Sequence, residues 1–71
     1  MPDIVALKEK MHESGMTMVS IAKKAGISRE TLYNRLNGRR EFTASEIIAL
    51  SEVLNLSKKE RDDIFLTTNG N

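Results

Sequence analysis

The stretch Thr17-Met-Val-Ser-Ile-Ala-Lys-Lys-Ala-Gly-Ile-Ser-Arg-Glu-Thr-Leu-Tyr-Asn-Arg-Leu-Asn-Gly38 decides how this chain folds. Met18, Ile21, Ala22 and Ala25 recur at i, i+3, i+4 and i+7, the spacing of one buried helix face, and Thr17 ahead of them carries the hydroxyl of an N-cap. Gly26 can take a positive φ in a tight turn, which ends that helix at residue 25. Ile27 plugs the turn into the core, and Ser28 caps a second helix, with Ile27 and Leu32 spaced as a hydrophobic staple across the cap. Leu32 and Leu36 form its inward stripe up to Gly38, whereas Glu30, Tyr33, Asn34 and Asn37 turn outward and Arg29 overhangs the first turn. Ala22, one turn before Gly26, is small where two helices must cross closely. The spacing therefore predicts helices over 18–25 and 29–37, joined by a glycine turn and presenting a polar row.

Outward from this pair the chain continues to read as helix. Ile4, Leu7 and Met11 predict a helix over 3–14, stopped at Ser14-Gly15. Thr43 with Glu46 has the spacing of a capping box, flanked by a Phe42 to Ile47 staple, and Ile47, Leu50 and Leu54 carry that helix to Asn55. Ser57 with Glu60 repeats the box before Ile64, Phe65 and Leu66, the last apolar residues. No stretch alternates apolar and polar residues as a half-buried strand would. The expected architecture is all-α, a compact five-helix domain over residues 1–66 with a frayed tail at 67–71.

The 71 residues, 39% hydrophobic and 30% charged, suit one small domain, since a second would need roughly another hundred residues. No apolar run is longer than that at residues 47–50, which is far short of the roughly twenty that a membrane span requires. Charges arrive early, at Asp3, Lys8, Glu9 and Lys10, where a secretory signal would be apolar, so a cytoplasmic protein is expected. With no cysteine, neither disulfides nor thiolate metal sites are available, and no metal or other cofactor is expected.

The net charge of +1 conceals segregation. Residues 1–14 carry −1 and residues 41–71 carry −3, whereas residues 15–40 hold Lys23, Lys24, Arg29, Arg35, Arg39 and Arg40 against Glu30 alone, a local +5. Such an excess suits a polyanionic partner, and equally an ordinary solvated helical surface. Catalysis finds no candidate. His12 is the only histidine and reads as a surface residue, and Ser14, Ser20 and Ser28 lie in neither a GxSxG elbow nor an SxxK pairing. Met11, Met16 and Met18 fall at apolar positions and read as core or staple residues.

Residues 17–37 resemble the helix-turn-helix of the lambda repressor and Cro family, especially its short single-domain phage regulators. The likeness extends to Gly38-Arg-Arg-Glu-Phe-Thr-Ala-Ser-Glu-Ile-Ile-Ala-Leu50, similar to the family's loop and fourth helix, and to Arg61-Asp-Asp-Ile-Phe-Leu66, similar to its closing helix. One position departs. Where the family usually has Gln at the start of the motif's first helix, bracing the recognition helix and touching a phosphate, this chain has Met18, which cannot donate that hydrogen bond.

The resemblance implies that the motif's second helix lies in the major groove, with Arg29, Glu30, Tyr33 and Asn34 at the bases. Their chemistry suits those roles: Arg29 to guanine O6 and N7, Glu30 to cytosine N4, Asn34 to adenine, and Tyr33 against a thymine methyl. Thr17, Ser28 and Thr43 at helix N-termini, with Arg35, Arg39 and Arg40, would meet phosphates. Simpler roles stay open. The three hydroxyls could serve only as caps, Glu30 could pair with Lys23 or Arg35, and Arg39 and Arg40 could be solvated loop residues. The implied function is a sequence-specific transcriptional regulator, not an enzyme, that occupies double-stranded operator DNA as a homodimer and takes no small-molecule substrate. Because Ile64, Phe65 and Leu66 span too wide an arc to face one small core, at least one should point outward, and Phe65 or its neighbour Leu66 is the expected dimer contact unless that helix wraps into the core or frays. An antitoxin that neutralises a protein toxin, or a helical bundle that docks on an acidic protein, are the alternatives at this point.

Overall fold

The computed structural model describes residues 2–66, whose regular structure is five helices: α1 (Ile4–Glu13), α2 (Met18–Ala25), α3 (Arg29–Leu36), α4 (Ala44–Val53) and α5 (Lys58–Phe65). Each begins where a short polar side chain takes up an N–H group that the first helical turn leaves unpaired. Thr17 Oγ1 accepts from the Ser20 amide at 3.0 Å and Ser28 Oγ from the Thr31 amide at 2.9 Å. Both capping boxes form, with Glu46 Oε1 accepting from the Thr43 amide at 3.0 Å and Glu60 Oε1 from the Ser57 amide at 2.9 Å. Asp3 caps α1 through the Ala6 amide at 3.0 Å. The tail expected to fray, residues 67–71, lies outside the described residues.

The two helices of the central motif end alike. Gly26 sits at φ +78°, its amide donating to Lys23 O at 3.1 Å while the Ile27 amide reaches back to Ala22 O at 3.0 Å. Gly38, also at φ +78°, repeats this after α3, with Arg39 reaching Asn34 O at 3.0 Å. This paired closure satisfies two helix-end carbonyls and turns the chain sharply in a backbone region that glycine enters without a Cβ penalty.

One fully enclosed residue from each of the first four helices, Leu7, Ile21, Leu32 and Leu50, makes the centre of the core. Ala22 is buried as well, and Ile27 packs half-buried against the cluster, so the turn is plugged as its sequence predicts. α2 lies against α3 and α4, and α5 against α1 and α4. α1 and its cap are tied to α5 by the Asp3 amide on Ile64 O at 2.7 Å and by Lys10 Nζ on Glu60 Oε2 at 2.7 Å. No helix among the described residues is long and apolar enough to cross a membrane.

One expectation needs correcting here. Phe65 is only 6% exposed and meets Phe42 edge-on, ring centroids 5.3 Å apart at 79°, so it belongs to the core rather than to a free surface. The reason is the course of α5, whose end closes over the bundle and gathers the Phe42 ring from the loop before α4. Leu66, one residue on, is the outward member of the trio at 58% exposure.

Candidate nucleic-acid interface

α3 buries Leu32 and Leu36 and thereby turns Arg29, Glu30, Tyr33 and Asn37 to solvent. Arg29 and Tyr33 are four residues apart, and Glu30 and Tyr33 three, so the three side chains are neighbours on one helical face. Tyr33 is 53% exposed, a large aromatic left out of a core that has room for few. Asn34 is half-buried at the edge of this row. Among the described residues no ion pair engages Arg29 or Glu30, so the pairing of Glu30 with Lys23 or Arg35 that the sequence left open is not formed.

Arg35 is placed differently from expectation. Its Nε donates to Glu46 Oε1 at 2.8 Å and its Nη2 to Glu46 Oε2 at 3.0 Å, and its side chain is 17% exposed. The two-pronged match of guanidinium to carboxylate neutralises the charge that the family resemblance directs to a phosphate. Glu46 is itself 9% exposed and holds the Thr43 amide with the same Oε1. The Arg35 guanidinium, helped by the Thr43 amide, keeps the Glu46 carboxyl below its ordinary value of 4.5 against the opposing effect of burial. Arg35 thus ties the last turn of α3 to the first turn of α4. The capping box was legible in the sequence, but its second partner was not.

Without Arg35 the cations of this segment are Lys23, Lys24, Arg29, Arg39 and Arg40, all exposed. Arg39 and Arg40 stand in the loop after Gly38, at the C-terminal end of α3. The Thr17, Ser28 and Thr43 hydroxyls accept helix N–H groups, so the capping role of each is realised. Their exposed positions leave a phosphate contact sterically possible beside it.

Met18 enters the site unannounced. Half-buried at the first position of α2, it packs against the core, and it also lines a concavity with Arg29, Glu30 and Tyr33. The available signal was its place immediately after the Thr17 cap, where the resemblance led one to expect a glutamine. Val19 and Ile48 are further outward apolar residues that helical spacing did not single out.

Comparison with known proteins bears directly on this arrangement. Residues 7–60 match the family model described as helix-turn-helix, a span that runs from the first enclosed leucine of α1 into α5 and contains both helices of the central motif. No curated protein and no solved structure matches the chain.

Proposed function

We propose that this chain, which belongs to the lambda repressor/Cro-like helix-turn-helix family of DNA-binding regulators, is a sequence-specific transcriptional regulator that occupies operator DNA as a homodimer. The observation that carries this reading is the unpaired, exposed row Arg29, Glu30 and Tyr33 on a helix whose opposite face is locked into the core by Leu32 and Leu36. A rigid helix with an uncommitted polar face is what major-groove readout requires, because base edges are recognised by hydrogen bonds whose geometry must be held in advance. In this reading Arg29, Glu30, Tyr33 and Asn34 face base edges. Arg39 and Arg40 take phosphates on one side, and the caps at Thr17, Ser28 and Thr43 present helix N-termini to the backbone.

A single recognition helix reads only a few base pairs, too few to stand out among roughly a million competing genomic sites, so two half-sites and two copies are required. Leu66 is the contact offered for that pairing in place of Phe65. Regulation is then by occupancy, a bound dimer covering or positioning a promoter. A binding selection on random DNA tests the reading. The expected outcome is a two-half-site consensus for the wild type and a loss of about 1–3 kcal/mol on that site for Arg29→Ala, with non-specific binding retained. An identical consensus and affinity for both proteins would remove Arg29 from the base contacts, and protection of no site at all would end the regulator reading.

A further inference from the structure

We infer that the concavity walled by Met18, Arg29, Glu30 and Tyr33 receives the 5-methyl group of a thymine, which makes Met18 a specificity-determining residue. The inference rests on the reading of α3 as the recognition helix and adds what one part of it recognises. Met18 and Tyr33 come from different helices, α2 and α3, and are brought to one recess by the crossing at the Gly26 turn. The thioether chain of Met18 is half-buried and backed by the core, so it is held in place from behind while part of it remains on the recess. The phenol ring of Tyr33 supplies a second apolar surface, and Arg29 and Glu30 complete the lining.

The chemistry of the major groove then selects the occupant. Guanine, adenine and cytosine present only hydrogen-bonding groups there, and thymine alone adds an apolar one, its methyl. A recess whose apolar surface comes from a thioether and an aromatic ring offers the polar edges of the other three bases less than it offers that methyl. Unbranched and polarisable, a methionine side chain adapts to so small a group without a preformed socket. Charge complementarity brings the groove to the recess: Lys23, Lys24, Arg39 and Arg40 are exposed on the same segment, and Arg29, which also lines the recess, carries donors for a base acceptor beside the methyl.

The test uses the full chain and the operator obtained by selection. Each thymine is replaced in turn by deoxyuridine, which removes only the methyl. For the wild type one thymine per half-site is expected to show about fourfold weaker binding on replacement, the size of losing one buried methyl. Met18→Gln, of similar length but polar, is expected to keep its helical circular dichroism while its penalty for deoxyuridine, read as a ratio within the same variant, falls below about twofold. Met18→Leu, which stays apolar, is expected to retain the penalty and serves if the glutamine variant does not fold. The inference is overturned if deoxyuridine is tolerated at every position by the wild type, if the full penalty persists in folded Met18→Gln, or if it disappears in Met18→Leu. An operator that binds well without methyl sensitivity would defeat this inference alone. A selection that yields no operator would defeat the underlying regulator reading and this one with it.

Discussion

Arg35 and Glu46 face each other in a two-pronged contact, Nε to Oε1 at 2.8 Å and Nη2 to Oε2 at 3.0 Å, that joins the end of α3 to the start of α4. The same carboxylate closes the Thr43 capping box, so one buried group both caps the start of α4 and ties it to the end of α3. This separates Arg35 from the other arginines of the basic segment in what its loss should do.

Arg35→Ala is expected to lower thermal stability, because it leaves Glu46 shielded from water without its main partner. In DNA titrations at several salt concentrations its log–log slope should match the wild type. Arg39→Ala and Arg40→Ala should instead leave the melting temperature nearly unchanged and make the slope shallower by roughly 0.9 per phosphate contact. A shallower slope for folded Arg35→Ala would return that residue to the DNA.

The Glu46 pair also makes stability depend on pH with a definite sign. Its folded-state value is lowered below the ordinary 4.5, chiefly by Arg35, so its contribution is fully present above 4.5 and is lost as pH falls through the lowered value. Glu60, lowered by Lys10 Nζ, acts in the same direction. Urea unfolding at pH values from neutral into the acid range should show wild-type stability falling below about 4.5, with Glu46→Gln less stable at neutral pH and the difference narrowing as the pH drops. A difference that stays constant with pH would mean that the pair is not linked to titration.

Phe65→Ala should cost about 3–5 kcal/mol, the price of emptying a buried aromatic site, which in a domain this small is comparable with the whole stability. Leu66→Ala, at an exposed site, should change stability by less than about 0.5 kcal/mol. Sedimentation on a two-half-site operator should then show weakened dimerisation for Leu66→Ala. Unchanged dimerisation would move the interface elsewhere.

At Gly26 a Cβ would meet nothing within 4 Å, so a substitution there is opposed by backbone conformation and not by crowding. Gly26→Ala is expected to cost about 1–2 kcal/mol, the penalty for a left-handed residue with a Cβ. Gly26→Asn should cost less, since Asn enters that region more readily, and Gly26→Val more, because branching at Cβ makes it a worse fit. Melting temperatures of the three variants should follow that order.

The parts of this molecule that sequence reading reached are those closed by short-range bonds. The caps at Thr17, Ser28, Thr43 and Ser57 each join residues three apart, and the turns at Gly26 and Gly38 need only one left-handed residue each. Helical spacing likewise identified Leu7, Ile21, Leu32 and Leu50, because a residue's face follows from the 3.6-residue repeat alone. Other features depended on how the helices cross. Arg35 and Glu46 are 11 residues apart, Lys10 and Glu60 are 50 apart, and Phe42 meets Phe65 across two separate elements. Whether Arg35 is free or meets a carboxylate, whether Phe65 is core or surface, and whether Met18 is only a core residue or also lines a recess with Arg29, Glu30 and Tyr33 are decided by interhelical angle and distance. Those are set by the packing of all five stripes at once, and no local pattern along the chain encodes them.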